Sequence, residues 1–178
     1  MIQLAALTLL LCLGLAVPAV TQTAPVRFAA PVISVAGGDT ITVLAKDTQQ
    51  VRIRLYGIAC PERGLKFWSR AKQATSDAAF GKTVTVQPLD TDSDGRMLAL
   101  VFMPGGKSLN EYLLREGMAW VYQKYCTRED ICEPFRRLEK AAKLQKRGMW
   151  EDKTPVPQQD WLLLPGGGRS SVPGSAPR

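Results

Sequence analysis

The chain is 178 residues long, the size of one ordinary domain with extensions, and its hydrophobic fraction of 46% is enough for a core. It carries 23 Lys and Arg against 16 Asp and Glu, a formal charge of +7, and no histidine. The charge favours polyanionic partners, nucleic acid or a membrane surface. The missing imidazole excludes His-centred triads, His general bases and His metal ligands, so proton transfer falls to Glu, Asp, Lys, Tyr or Cys and metal binding to oxygen or thiolate.

Residues 4–17 are apolar or nearly so, and no charged side chain precedes Arg27. Small residues around Val17-Pro18-Ala19 and at Ala24 suit cleavage, so residues 1–24 read as a signal peptide and the product as secreted or periplasmic. The alternative is an uncleaved N-terminal membrane anchor. The apolar run is short of the ~20 residues a spanning helix needs, and Pro18 interrupts it.

Residues 25–152 carry the periodic patterns. Two β-branched runs, 26–36 and 39–44, flank Gly37-Gly38 and predict a hairpin-like pair of strands. Residues 51–56 alternate strictly, with Val51, Ile53 and Leu55 on one face and Arg52, Arg54 and Tyr56 on the other. Gly57 and Pro61 end this strand, which delivers Arg54 toward Glu62 in the loop beyond. Over 63–81 the period becomes helical, with Phe67, Ala71, Ala74 and Ala78 on one side and Gly81 as the stop. Residues 83–89 and 96–103 read as strands around the acidic turn 90–95, and 109–116 as a short helix stopped by Gly117. A charged amphipathic helix is predicted over 128–147, with Ile131, Phe135, Leu138, Ala142 and Leu144 as its buried side and Pro134 either in its first turn or marking its true start. Cys126 and Cys132 are six apart and in an oxidising compartment would close a small disulfide loop; metal binding is the weaker option, because a lone pair at that spacing matches no zinc template. From 153 to 178 the chain turns rich in Pro, Gly and Ser and reads as a disordered tail, with a docking segment at 161–164. Five short strands with one helix inserted after the third and two at the end fit an α+β architecture: a five-stranded OB-type β-barrel with three packed helices.

Several short motifs occur in one order: Gly38-Asp39-Thr40, Arg54-Leu55-Tyr56-Gly57-Ile58, Pro61-Glu62, Asp94-Gly95-Arg96, Leu109-Asn110-Glu111 and Gly117-Met118-Ala119-Trp120. In that order and spacing, residues from about 31 to 152 resemble the staphylococcal nuclease (thermonuclease-like) family. The resemblance implies a monomeric nuclease acting on DNA and RNA with calcium, and the N-terminal signal implies its export. The residue chemistry agrees. Phosphodiester hydrolysis needs an oriented or deprotonated water and positive charge on the phosphate oxygens. Glu62 is the candidate general base. Arg54 and Arg96 are the candidate phosphate clamps, since a guanidinium fork matches phosphate geometry. Asp39 offers an oxygen ligand to a hard cation, which the family implies is Ca2+. Tyr122, Lys124 and Tyr125 are the candidate substrate contacts that the resemblance implies.

Two positions depart from the family pattern. Ala59 stands where the pattern has a metal-ligating aspartate, and Gly37 stands where it usually has another carboxylate. Fewer charged ligands weaken a calcium site. Two functions therefore stay open: a metal-assisted nuclease using a Glu-activated water, and a non-catalytic OB-type module that holds nucleic acid electrostatically.

Overall fold

In a computed structural model the structure describes residues 26–152. The expected signal peptide, the tail and its docking segment lie outside the described residues. Seven strands and three α-helices follow one another: β1 (Phe28–Gly37), β2 (Thr40–Leu44), β3 (Gln50–Leu55), β4 (Ile58–Ala59), α1 (Trp68–Ala79), β5 (Thr83–Thr91), β6 (Met97–Phe102), α2 (Leu109–Arg115), β7 (Trp120–Val121) and α3 (Glu129–Leu144). Five of the strands close a barrel in the order β1-β2-β3-β6-β5, and β4 pairs with β7 in a separate two-stranded sheet. The architecture is the five-stranded barrel with three helices that the order of elements predicts.

Alternation explains the barrel's filling. Ile41 and Val43 of β2, Ile53 and Leu55 of β3, Val84 and Val86 of β5, and Ala99 and Val101 of β6 are all at most 1% exposed. They are the inward members of a period of two, and a small barrel is filled by such side chains. Neighbouring strands run antiparallel except β3 and β6, which pair in parallel with Arg54 opposite Leu98.

The helices close the open side. α1 buries Ala71, Thr75 and Ala79, and the Thr75 hydroxyl donates to the Gly38 carbonyl at 2.6 Å. A side chain at Gly38 would meet Cys60 Sγ at 2.7 Å and Ala71 Cβ at 2.9 Å. Glycine there lets the β1–β2 turn lie directly against Cys60 and α1. α2 is capped by Ser108, whose hydroxyl accepts the Glu111 N–H at 3.3 Å. Its buried Asn110 amide donates to the Tyr56 carbonyl at 3.0 Å and accepts the Val101 N–H at 3.1 Å, which pins the helix to the ends of β3 and β6.

α3 differs from its sequence reading in two ways. Pro134 lies inside the helix, beyond the first turn. The helix keeps it at the cost of the hydrogen bond that a residue with an N–H would donate to Asp130. Leu144, expected in the core, is 77% exposed, whereas Cys132 is fully buried. The helix turns its Cys132–Phe135–Ala142 stripe inward, and Leu144 at its last position falls off that stripe. Cys126 and Cys132 form a disulfide. A second small core gathers Ala59, Trp120, Ala142, Met149 and Trp150, with Phe67 and Tyr122 packed against it.

Candidate active site

The β2–β3 and β3–β6 registers bring the candidate residues to one end of the barrel. Thr40 pairs with Arg54 across β2–β3, so Asp39, one residue before, reaches the same level. The Arg54 guanidinium lies 3.5 Å from Asp39 Oδ2. Arg54 thus pairs with Asp39. Asp39 Oδ1 accepts the Thr40 hydroxyl at 2.9 Å, and Oδ2 accepts the Cys60 N–H at 3.4 Å.

Across the parallel pair, Arg54 stands opposite Leu98. Period-two alternation continues that face back to Arg96, just before β6. The turn from β5 to β6 is built around Asp92, which sequence reasoning left as one of several acidic turn residues. Its carboxylate accepts the N–H groups of Asp94 (3.0 Å) and Arg96 (2.9 Å) and the Arg96 Nε–H (2.7 Å). Asp94 also pairs with the Arg96 guanidinium, at 2.8 Å. Burial opposes the charge on Asp92, but the Arg96 N–H and guanidinium, its charge and the Asp94 N–H outweigh it and hold the carboxyl below its ordinary range. Gly95 completes the turn with a positive φ of 72°.

β4 and β7 supply the aromatic wall. Ile58 pairs with Val121, and the Tyr122 N–H donates to the Gly57 carbonyl at 2.9 Å. Tyr122 and Tyr125 meet edge to face, with ring centroids 4.9 Å apart. The disulfide backs this wall, since a side chain at Gly57 would strike Cys126 Sγ at 2.7 Å. The Tyr56 hydroxyl accepts the N–H groups of Thr127 and Arg128, each at 3.2 Å, and so holds the start of α3.

The result is a pocket lined by Arg54, Leu55, Gly57, Ile58, Asp92, Ser93, Arg96, Leu98, Tyr122 and Tyr125. Four predicted site residues, Arg54, Arg96, Tyr122 and Tyr125, share it. Glu62 lies exposed in the turn after β4 and is not part of the pocket wall. Lys124 stands outside the wall too, with its ammonium 5.4 Å over the Tyr125 ring. Gly57, Ile58, Asp92 and Ser93 line the pocket without having been singled out for it. The Asp-rich spacing before Gly95 is the signal that marks Asp92 as a turn-former.

The donors around Asp39 test the calcium expectation. A resident calcium ion takes about six to eight oxygens. Asp39 already shares its oxygens with Thr40, Cys60 and Arg54. Ala59 brings a methyl group, wholly buried in the cluster with Trp120 and Trp150, and Gly37 brings no side chain. Among the described residues no three of His, Cys, Asp and Glu are grouped to hold a metal. These residues do not fit a tightly held calcium ion. Beside them Cys60 is buried, and burial first, then the Asp39 charge, push its thiol well above its ordinary pKa against the lowering effect of Arg54. It is a neutral packing group at neutral pH.

Comparison with known proteins places this geometry. The profile described as staphylococcal nuclease homologue matches residues 52–152. A protein named "Uncharacterized endonuclease" from Escherichia coli O157:H7 is 40% identical over 130 residues, which cover 73% of this chain and 82% of the relative. One named "Micrococcal nuclease" from Shigella flexneri is 37% identical over 142 residues, covering 75% and 79%. "Protein ParB" from Escherichia coli is 34% identical over 156 residues, covering 83% and 86%. With the barrel, the ordered motifs and these relatives in agreement, the chain belongs to the staphylococcal nuclease family.

Proposed function

We propose that this protein is an exported nuclease that hydrolyses phosphodiester bonds of DNA and RNA. The observation that carries the reading is the convergence of Arg54, from β3, and Arg96, from the turn before β6, on one pocket walled by Tyr122 and Tyr125. A scissile phosphate bound there meets two guanidinium groups, which suit a phosphate gaining charge in the transition state. The tyrosines offer ring faces to the adjoining sugar and base. Glu62, exposed at the loop that leaves β4, orients or deprotonates the attacking water. Arg54 is held ready by Asp39, so Asp39 serves as a positioning residue here. The chemistry derived from these residues passes through no metal. A calcium effect, which the family implies, enters as a separate measurement.

The test is incubation of the purified protein with single-stranded and duplex DNA, with added calcium or with chelator. Cleavage is expected, and Arg54→Ala, Arg96→Ala and Glu62→Ala are each expected to lower it by about a hundredfold or more. Glu62→Ala keeps binding, whereas the arginine variants also weaken it and reduce its salt dependence. Retained binding with no cleavage at millimolar calcium would sink the enzyme reading in favour of the binding module.

A further inference from the structure

Immediately beyond Glu62 the chain carries six cationic or aromatic residues that the hydrolytic reading does not use: Arg63, Lys66, Phe67, Trp68, Arg70 and Lys72. The backbone there is wound tightly. The Leu65 N–H donates to the Glu62 carbonyl at 3.0 Å, and the Trp68 N–H to the Leu65 carbonyl at 3.2 Å. Trp68 therefore stands two reverse turns from the proposed general base.

The six residues divide by what they touch. Phe67 adopts φ 67°, a costly conformation for a bulky residue. Its ring packs against the Ala59–Trp120–Trp150 cluster. Lys66 and Arg70, each within 5.4 Å of that ring, pair with Asp152 and Glu151. This half fastens the start of α1 to the segment after α3. The Trp68 half has no such task. Arg63 and Lys72 each approach the half-buried Trp68 ring to 5.4 Å. Neither has a carboxylate ion-pair partner among the described residues.

We propose that Trp68, flanked by Arg63 and Lys72, is a second nucleic-acid subsite that takes a base of a single strand. The base stacks on the indole, and its neighbouring phosphates meet the two cations. An aromatic face with adjoining cations is the combination that single-strand binders use, and every base has a π-face to offer it. Bases within a duplex are already stacked on each other, so the subsite favours single-stranded or locally opened substrate. This rests on the nuclease reading of the pocket, and it carries the strand from Glu62 out along α1.

The experiment measures binding of a fluorescein-labelled, phosphorothioate-linked thymidine strand of about 15 nucleotides by anisotropy. Hydrolysis of thymidylyl-thymidine, too short to span both places, reports on the pocket alone. Trp68→Ala is expected to weaken the long strand by about tenfold, with Trp68→Phe retaining most of the affinity. Arg63→Ala/Lys72→Ala, which changes no packed residue of the core, is expected to weaken it severalfold and to reduce the salt slope. Dinucleotide hydrolysis stays as in the unaltered protein. Unchanged long-strand binding in the double variant, or equal losses on long and short substrates, overturns the subsite. Absence of all hydrolysis with these binding effects intact removes the nuclease reading and leaves the subsite standing.

Discussion

Arg96 is held by two carboxylates that differ in consequence. Asp92, 14% exposed, forms the turn and aims the guanidinium; Asp94, 65% exposed, lies on its solvent side. An incoming phosphate meets Asp94 as a like charge competing for the same donor. At the surface such a charge is worth about 1 kcal/mol, so Asp94→Asn is expected to lower KM for DNA by about fivefold with kcat nearly unchanged, as steady-state kinetics would show. Asp92→Asn would have no such benefit, since it dismantles the turn. Ala59 permits a second test at this scale. Restoring a carboxylate with Ala59→Asp buries a charge in an apolar cluster, which destabilises the fold unless a cation joins it. In chelator the melting temperature is expected to fall; in calcium at about a hundred times its Kd, binding linkage returns roughly 2.7 kcal/mol. Calcium titrations of both proteins by differential scanning calorimetry check this. A variant whose melting temperature ignores calcium would mean that Ala59 is unrelated to metal binding.

The elements were legible where a period ran long enough. Alternation over 51–56 and around the turn at 90–95 reveals the strands of the barrel, and the change of period after Glu62 reveals α1. Two residues cannot show a period, so β4 and β7 are invisible as a pair even though they hold the tyrosine wall. The start of α3 agrees with the predicted 128–147, and it is that start which puts Pro134 past the first turn, since the helix already runs from Glu129. Of the candidate site, Arg54 and Arg96 stand in the ordered motifs, whereas Tyr122 and Tyr125 enter through the family resemblance alone. The pairing of Arg54 with Asp39 was not legible, because strand register brings the two together from separate stretches of the chain. A register is a tertiary fact, and no local pattern at 51–62 contains it.

At the largest scale, the described residues form a closed barrel with the proposed chemistry gathered at one end. The core needs only inward apolar residues of the right size, which explains how two expected metal ligands can be absent while the architecture persists. The net charge of +7 acts at this scale as well, since it favours polyanions over neutral or cationic partners irrespective of sequence.

The disulfide gives the site wall a date of manufacture. Its sulfur rests against Gly57, and its short loop carries the backbone from Tyr125 into α3. Under reducing conditions the chain lacks that brace and its wall is unfinished; an oxidising space, to which the proposed export would deliver it, completes the wall. Replacing both cysteines by serine is expected to cost roughly 2 kcal/mol of stability from the loop constraint alone. KM should rise more than kcat falls. Mild reduction of the native protein should reproduce the KM effect, and reoxidation should reverse it; kinetics indifferent to reductant would show that the wall is complete from the start.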